Sequence, residues 1–494
     1  MSDTPRDETQ DLPERPDAAG RPRVGVDEWV DRVAERRERG WQAELRARLD
    51  RIPAHSKLAL MVLPIAVLPF FVESGYLMQV AIDTLLFMLL ALGLNVAVGW
   101  AGLLDLGYIA FYGFGAYGFA FLASDHFGVH WQATFVIPVV VAATVLLGFL
   151  VGLPSRRLVG DYLAIVTLFF LQLFLTILLN ADRLNLPFFG QTNLTRGPNG
   201  ISDLDPMRFF GWTVDSLDEY FYLALGAFVV VFVGLALVNA SRTGRAWRAL
   251  REDPLAAELM SMPVNRLKLL AFAFGAGVAG LTGTIFAASQ SAVFPVNFDL
   301  TLLITLYAMV ILGGFGSLTG VAVGAIVINL SLEALRTPED ASWIFFGALL
   351  LALPLVVRPW WRLALVVGGT IVFGFVVRLL AEGVWERGVS GSVPGRARID
   401  GIVDGWVLVP AAPDDLAKVA YLLLVAGVLA LTVVQGWWRI ALFVPVLYLA
   451  ACVWENVMVE QPAVARYILI GAMLVGLMAS RPQGLFGTAR VEIV

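Results

Sequence analysis

Polar residues of this chain concentrate at 241–268, where SRTGRAWRALREDPLAAELMSMPVNRLK separates two long apolar segments. Within it Arg245, Arg248 and Arg251 recur every three residues, a spacing that predicts a shared helical face. The chemistry that such a row of guanidinium groups offers is charged contact with a partner protein. The alternative is a solvated basic loop that only sets the orientation of the chain in a membrane.

A second short helix is predicted after Asp253 and Pro254, because Asp is a good N-cap and Pro favours the first helical position. It should end near Met262, since the residue before Pro263 is pushed out of helical geometry. Its predicted surface is mainly apolar and is formed by Leu255, Ala256, Leu259 and Met260. The two helices together form the kind of compact projection that a membrane protein presents to a cytoplasmic partner.

Carboxylates inside apolar segments are the next candidates, since acids buried in a membrane are often functional. The main ones are Asp83, Asp105, Glu333 and Glu455. For some of them a position near a membrane interface is the alternative. His126 and His130 have the spacing of metal ligands, but Gly128 falls between them in a predicted loop, so no metal site is predicted. No serine–histidine–aspartate set or carboxylate pair has catalytic spacing, and we predict no catalytic residue.

Two glycine motifs of the chain match a nucleotide-binding pattern. Residues 113–118 and 275–280 match G-x-G-x-x-G, but both lie in apolar segments and neither follows a predicted strand. Close packing of helices is therefore the better interpretation. The same is expected of Gly316, Gly320 and Gly324, along one predicted helix face. No G-x-x-x-x-G-K-[ST] loop is present, so any ATP used must be bound by another subunit.

The composition places these residues in a membrane. Hydrophobic residues make up 58% of the chain and charged residues 15%, whereas a soluble domain has about 45–50% and about 25%. The predicted fold class is an all-α polytopic membrane protein. Since a span needs about 20 apolar residues, the chain offers fourteen candidates: 58–74, 79–98, 103–123, 132–152, 162–180, 219–239, 268–290, 300–313, 317–335, 343–357, 363–380, 418–435, 440–457 and 465–480. The short 300–313 segment is expected to be broken or re-entrant.

Orientation follows from the distribution of arginine and lysine. If the N-terminus is cytoplasmic, alternation across fourteen spans places the basic clusters on the cytoplasmic side. The acidic loops 181–218 and 381–417 then fall outside. We therefore expect a multi-pass protein of the cell membrane, in the inner or plasma membrane, with both termini cytoplasmic. Basic residues cluster at membrane borders, so nucleic-acid binding is not expected.

Four regions are predicted along the chain. Residues 1–57 form a charged cytoplasmic tail, in which 26–51 is either an amphipathic helix on the membrane surface or a poorly packed segment. Residues 58–357 form the core, and 358–480 add further spans with the extracellular loop 381–417. Residues 481–494 form a cytoplasmic tail. The single cysteine, Cys452, excludes a disulfide within the chain.

Four blocks of sequence resemble the permease of branched-chain amino acid ABC importers, the LivM-like type of inner-membrane protein. They are LGLNVAVGWAGLLDLGYIAFYGFGAYGFA at 92–120, LPSRRLVGDYLAIVTL at 153–168 with GPNGI at 197–201, the 241–284 stretch that contains EDPLAAELMSM, and MVILGGFGSLTGVAVGA at 309–325. The chain also carries a family-like RPQGLFG at 481–487. In order and spacing the blocks cover about 79–357.

The resemblance implies that the cytoplasmic loop 241–268 docks into a cleft on separate ATPase subunits, which bind the ATP, so that no cofactor is expected in this chain. The coupling residues it implies are Gly244, Arg245, Arg248, Arg251, Glu252, Ala256, Ala257 and Met260. The apolar face of the second helix would seat in a groove while the arginines fix register. The other implied partners are a second, LivH-like permease subunit, an extracytoplasmic substrate-binding protein, the lipid bilayer and a small-molecule substrate.

Some residues of the first and fourth blocks are candidates for lining the pathway or for packing. They are Asn95, Asp105, Tyr108, Gly113, Gly115, Gly118, Gly313, Gly314 and Gly316. Asp105 and Tyr108 stand where family members usually carry serine and histidine, and a charged Asp105 would favour a substrate with a cationic part. The extra spans after 357 also depart from the pattern.

The expected substrate is a branched-chain or other neutral amino acid, with urea or short amides as the alternative. Two other classes stay open on sequence alone. An ion-coupled secondary transporter would use Asp105 or Glu333 and would leave the 241–268 loop without a role. A membrane-embedded enzyme would need catalytic carboxylates beside basic phosphate clamps, which the sequence does not offer.

Overall fold

The computed structural model describes residues 62–72, 74–155, 161–186, 190–336, 360–384, 406–408, 413–434 and 436–460, with shorter stretches inside 344–354 and 466–478 and at 484–486. By its contacts the described part of the chain from Ala66 onward belongs to one compact unit, Ala66–Thr488. The predicted tail at 1–57, with its amphipathic helix, and most of the loop at 381–417 lie outside the described residues.

The described residues are mainly helical. In chain order the helices are α1 Gly75–Asn95, α2 Tyr108–Leu122, α3 Ala133–Ser155, α4 Asp161–Asn180, α5 Leu217–Ala240, α6 Arg242–Glu252, α7 Pro254–Leu259, α8 Val264–Gln290, α9 Leu300–Gly313, α10 Leu318–Ala334, α11 Trp360–Val384, α12 Pro413–Val433 and α13 Trp437–Glu460. A π-helical turn, Val96–Trp100, continues α1.

Within the described part of the chain, eight helices are long and apolar enough to cross a membrane, and three shorter helices are apolar, at Tyr108–Leu122, Leu318–Ala334 and Val419–Leu431. The chain is therefore an all-α polytopic membrane protein, as its composition predicted. The count of fourteen spans stays a prediction.

The core is built where α8 passes α2 and α3. Along this crossing the helix backbones lie so close together that several positions have room only for glycine. A Cβ on Gly115 would collide with the carbonyl oxygen of Gly280, and a Cβ on Gly148 would lie 2.5 Å from that of Ala276. Lipid tails are as apolar as the helices, so close van der Waals packing supplies the drive for association that water supplies elsewhere.

Three sequence expectations differ from the structure. The 103–123 span becomes a helix only at Tyr108, because Gly102 has φ +69° and residues 101–107 form a loop. The 300–313 segment is a continuous helix, α9, since the Asp299 side chain caps its first turn by accepting from the amide of Leu302. Gly316 does not share a helix face with Gly320, because it precedes α10 with φ +86°.

One end of the bundle is capped by short antiparallel strand pairs. The strands are β1 Ala123–Ser124, β2 Val129–His130, β3 Leu184–Leu186, β4 Gly190–Thr192, β5 Ile201–Ser202, β6 Arg208–Phe209, β7 Trp212–Thr213 and β8 Ala292–Val293. They pair β1 with β2, β3 with β4, β5 with β8 and β6 with β7. We call this the hairpin end.

The other end carries residues 241–263, which contain α6 and α7 and which we call the elbow. Close to it, the turn between α9 and α10 receives the C-terminal motif. The amide of Leu485 donates to the carbonyl of Leu312 at 2.8 Å, and that of Phe486 donates to Gly313 at 3.1 Å. These bonds satisfy two carbonyl groups that the end of α9 leaves without helical partners.

Candidate functional site

The elbow consists of two capped helices. The Ser241 side chain accepts from the amides of Thr243 and Gly244 at the start of α6. At the start of α7, Asp253 Oδ1 accepts from the amides of Leu255 and Ala256 at 2.8 and 3.0 Å. Such caps satisfy amides that a helix cannot bond internally. The predicted break and N-cap are therefore confirmed.

The second helix ends at Leu259, slightly before the predicted position. Ser261 takes a left-handed conformation with φ +62°. Its amide donates to the carbonyl of Glu258 at 2.9 Å, and the amide of Met262 donates to that of Ala257 at 3.1 Å. This is the bonding pattern of a Schellman cap. The helix α7 is thus fixed at both ends and is a rigid, two-turn projection.

The inward face of the elbow is buried against the helical core. Gly244, Trp247, Leu250 and Ala257 form it. The Trp247 side chain is fully buried, and its indole N–H donates to the carbonyl of Leu267 at 2.9 Å. Its ring also meets the edge of Phe274 at 5.8 Å between centroids. Apolar burial and a satisfied indole N–H together fix the elbow to α8.

The outward face of the elbow is exposed and largely apolar. Leu255, Leu259 and Met260 are 67%, 79% and 76% exposed, and Ala256 beside them is exposed as well. Arg245, Arg248 and Glu252 are also exposed on α6.

Two of these arginines contact the end of α5. The Arg245 guanidinium donates to the carbonyl of Ala240 at 3.0 Å, and the Arg248 guanidinium donates to the carbonyl of Asn239 at 3.5 Å. These two arginines cover the carbonyl end of α5, where positive charge is favoured.

Three residues predicted for the docking face lie elsewhere. Gly244 is buried, and a Cβ there would collide with the carbonyl oxygen of Asn239. Arg251 does not share the face of Arg245 and Arg248, because a three-residue step falls about 60° short of a helical turn and two steps accumulate to about 120°. The Arg251 guanidinium turns inward and donates to the carbonyl of Gly99. Ala257 is only 4% exposed and packs against the core. Arg251 and Ala257 attach the elbow to the rest of the protein.

The residues that receive the elbow form a junction among α1, its π-turn and the α9–α10 turn. The Trp100 ring stacks on that of Trp247, with centroids 6.1 Å apart and planes 22° apart. The Trp100 indole N–H donates to the carbonyl of Gly316 at 3.0 Å, and Asn95 Oδ1 accepts from the amide of Gly316 at 2.9 Å. The Arg251 guanidinium lies 6.0 Å from the ring centroid of Phe315.

Sequence reasoning missed Trp100 and assigned Asn95 and Gly316 only to the pathway or to packing. A signal was present, since an indole N–H buried at the end of an apolar segment needs an acceptor. The acceptor is 216 positions away in the chain, so its identity required the structure.

Asp105 and Tyr108 lie at a second, buried centre. Asp105 is 2% exposed, its Oδ1 accepts from the amide of Gly107 at 2.9 Å, and its backbone carbonyl accepts from the Tyr307 hydroxyl at 2.8 Å. The side chain of Asp105 thus organises the loop before α2. The hydroxyl of Tyr108 is buried and has no hydrogen-bond partner within the described ranges. Such an unsatisfied group is unusual in a native structure.

The remaining candidate glycines lie at close approaches. A Cβ on Gly113 would lie 2.5 Å from the ring of Phe174, and one on Gly118 would lie 2.9 Å from Val140. A Cβ on Gly313 would meet the carbonyl of Gly320, where α9 and α10 cross. Gly314 has φ +101° in the turn after α9. Residues with a Cβ rarely adopt this φ, so the turn favours glycine.

Two other acids predicted inside apolar segments make local contacts. Asp83 accepts from Gln79 at 3.2 Å, and Glu333 pairs with Arg336 at 3.4 Å. The described residues contain no group of three or more His, Cys, Asp or Glu that could hold a metal ion.

The two histidines lie at the hairpin end. His126 Nε2 contacts the carbonyls of Asn193 and Leu194 at 3.1 Å. His130 lies between Asp205, at 2.7 Å, and Asp125, at 3.2 Å. The hydrogen bond to Asp205 and the charges of both carboxylates raise the pKa of His130, although Arg208 opposes them.

Residues 76–354 match the family model described as "Branched-chain amino acid transport system / permease component". The chain is 38% identical over 325 residues to the high-affinity branched-chain amino acid transport system permease protein LivM of Escherichia coli strain K12, covering 61% of this chain and 73% of that protein. It is 27% identical over 206 residues to LivH of the same strain, covering 40% of this chain and 62% of LivH.

Another relative, the probable branched-chain amino acid transport permease protein LivM of Methanocaldococcus jannaschii, is 26% identical over 227 residues, covering 42% of this chain and 62% of that protein. No solved structure matches the chain. The matched region 76–354 contains α1 to α10, the elbow and the junction.

Proposed function

Because the chain belongs to the family of branched-chain amino acid transport permeases, we propose that it is the transmembrane permease subunit of an ATP-driven importer. Separate ATPase subunits bind the ATP, and the elbow is the surface on which they act. The transported substrate is a branched-chain or another neutral amino acid.

The exposed apolar face of α7 carries this proposal. Leu255 and Leu259 on this six-residue helix, and Met260 at its C-cap, are each at least 67% exposed, and the helix is capped at both ends. A helix that presents an apolar face to a groove is a common mode of protein recognition. Its rigidity keeps the ordering entropy lost on binding small.

The charges beside this face support a protein partner. Arg245, Arg248 and Glu252 are exposed around the apolar residues, so the surface has an apolar centre with a charged rim. Interfaces between proteins are organised in the same way, with the rim charges setting register and the association rate. A loop that only sets orientation would need the arginines but not the exposed leucines.

The other subunits follow from the same proposal. A LivH-like second permease subunit completes the transport pathway, in keeping with the similarity of this chain to both LivM and LivH. An extracytoplasmic binding protein delivers the substrate to the hairpin end, which lies outside the cell when the elbow and both termini are cytoplasmic. The buried Tyr108 hydroxyl, without a partner among the described residues, is a candidate contact for the substrate when the pathway opens.

The test is leucine uptake in proteoliposomes that contain this chain, its LivH-like partner, the ATPase subunits and the binding protein. Uptake should require hydrolysable ATP and should survive collapse of the proton gradient. Replacing Ala256, which is exposed, by Asp should uncouple hydrolysis from uptake without loss of membrane insertion. Uptake at the wild-type rate in Ala256→Asp would contradict docking at the elbow.

A cross-linking experiment tests the same surface directly. The natural Cys452 is 3% exposed, so a cysteine introduced at Met260 is far more accessible. Met260→Cys should cross-link to an ATPase subunit. The matched control is Phe210→Cys, which is 85% exposed at the hairpin end and should react instead with an impermeant maleimide added outside the cell. If Met260→Cys reacted with the external maleimide and Phe210→Cys cross-linked to the ATPase subunit, the proposed orientation in the membrane would be wrong.

A further inference from the structure

We propose that Trp100 and Asn95 are positioning residues that transmit movement of the elbow to the loop holding Asp105. This inference rests on the proposed docking of the ATPase subunits on the elbow. Neither residue lies on the elbow, and both are buried, Trp100 at 1% exposure and Asn95 at 0%. Their role would therefore be to connect the elbow with the loop that holds Asp105, without contact to the ATPase subunits or to the substrate.

The first link joins the elbow to the π-turn. In a regular helix the amide of Leu103 would bond to the carbonyl of Gly99. Here the amide of Ala101 bonds to Val96 at 3.2 Å and that of Leu103 to Ala97 at 2.9 Å. The carbonyl of Gly99 is thereby available to the Arg251 guanidinium from the elbow. Single π-turns are frequent at functional sites.

The second link joins the π-turn to the α9–α10 turn. Both backbone groups of Gly316 are held, its carbonyl by the indole N–H of Trp100 and its amide by Asn95 Oδ1. A Cβ on Gly99 would lie 2.7 Å from the amide nitrogen of Gly316, so this approach depends on glycine. Because Trp100 also stacks on Trp247, one side chain contacts the elbow and the turn together.

The third link joins these elements to the buried centre. The π-turn continues directly into residues 101–107, where the amide of Gly107 donates to Asp105 Oδ1 in an Asx-type turn. The backbone carbonyl of Asp105 accepts from Tyr307, which lies on α9. Both ends of the junction, the π-turn and α9, therefore reach Asp105. Displacement of the elbow would move the π-turn and α9 together. Closely packed elements shift between distinct arrangements and do not deform continuously, so the movement would reach Asp105.

The experiment replaces Trp100 by Phe, which keeps an aromatic ring for stacking and removes the N–H donor to Gly316. The readout is the stimulation of ATPase activity by leucine-loaded binding protein in the reconstituted complex, with leucine uptake per ATP hydrolysed. We expect Trp100→Phe to lower both by roughly two- to tenfold, the range that one hydrogen bond is worth. The matched control is Trp406→Phe, which removes an indole bond of the same 3.0 Å length, to Ile371, and should change neither.

Two further measurements separate the possible failures. Co-purification of the wild-type chain with the ATPase subunits tests the docking proposal, and its absence would reject the proposed function. If co-purification succeeds while Trp100→Phe couples like the wild type, the inference about the junction alone is wrong. Asn95→Ala, which removes the acceptor for the Gly316 amide, repeats the test if Trp100→Phe is not recovered in the complex, and unchanged coupling in it would likewise overturn the inference. The unfolding temperatures of Trp100→Phe and Trp406→Phe are also compared. Equal values would show that the lower coupling of Trp100→Phe reflects lost positioning, whereas a much lower value for Trp100→Phe would attribute it to a general loss of structure and overturn the inference.

Discussion

The contacts between the elbow and the bundle are buried, whereas the hairpin end also carries exposed charged contacts. Trp247 of the elbow and Trp100 of the π-turn, on which it stacks, are buried and donate to backbone carbonyls. At the hairpin end, His130 is 46% exposed and pairs with two carboxylates, of which Asp125 is 86% exposed. Buried contacts are hardly screened by water or salt, whereas exposed ion pairs contribute little. The difference indicates that the elbow is firmly attached to the core, while the charged contacts at the hairpin end respond to the solution around them.

The largest effect is expected from Trp247→Ala. Removing a fully buried tryptophan should cost about 3–5 kcal/mol, because a cavity replaces the ring and its stack on Trp100 is lost. The matched change at the hairpin end is Trp212→Ala, where the side chain is 50% exposed. Thermal unfolding in detergent should show a clearly larger loss for Trp247→Ala. Equal losses would remove the contrast between the two ends.

A second pair of variants contrasts the two faces of the elbow. Ala257→Asp places a carboxylate in a site that is 4% exposed, and an uncompensated buried charge costs about 3 kcal/mol or more. Folded protein should be lost in size-exclusion chromatography. Ala256→Asp, one residue earlier and exposed, should elute as the wild type does while ATP hydrolysis no longer drives uptake. A folded Ala257→Asp protein would show that α7 is not fixed to the core.

A smaller effect is expected at the cap of α7. Asp253→Ala removes the acceptor of two amides and should destabilise the helix by about 1 kcal/mol. Asp253→Asn is the control, because asparagine caps as well as aspartate does. Amide hydrogen exchange should speed up in α7 of the alanine variant and stay near the wild-type rate in the asparagine variant. Similar exchange in all three proteins would mean that the cap does not rigidify the projection.

The smallest effect is a pH dependence at the hairpin end. Since the folded pKa of His130 is raised above its ordinary 6.5, its contribution to stability is complete below that value. It is lost as the pH rises through the folded pKa. The pH dependence of the unfolding midpoint between about pH 6 and about pH 9 should therefore be shallower in Asp205→Asn than in the wild type. Identical profiles would show that the His130–Asp205 contact does not hold the hairpin end.

Local features of the elbow could be predicted well from the sequence. The N-cap at Asp253, the break at Pro254 and the exposed apolar residues of α7 all follow from interactions within a few positions. The left-handed Ser261 could not be predicted, because the conformation belongs to a cap that serine rarely completes. The three-residue repeat of arginines was misinterpreted for a simpler reason, namely the drift of such a repeat around a helix.

The candidate site around Gly316 shows where sequence reasoning stopped. The motif that contains it suggested a helix face of glycines, yet Gly316 lies in a turn that both Asn95 and Trp100 hold. Those partners are 221 and 216 positions away. Hydrogen bonds between such distant positions depend on how α1 and α9 pack, and a single sequence contains no direct signal of that packing.

The sequence by itself determined that this chain is an all-α membrane protein, that it contains the family's four motif blocks, and that a capped, basic projection lies within residues 241–268, of which the structure assigns 264–268 to α8. Composition, capping residues and hydropathy are local or additive quantities, so they need no coordinates. The tertiary structure alone decided that Arg251 and Ala257 face inward, that Trp100 connects the elbow to Gly316, and that the Tyr108 hydroxyl is buried without a partner among the described residues. Those properties depend on which helices lie together, and close packing in a membrane is fixed by the shapes of distant surfaces.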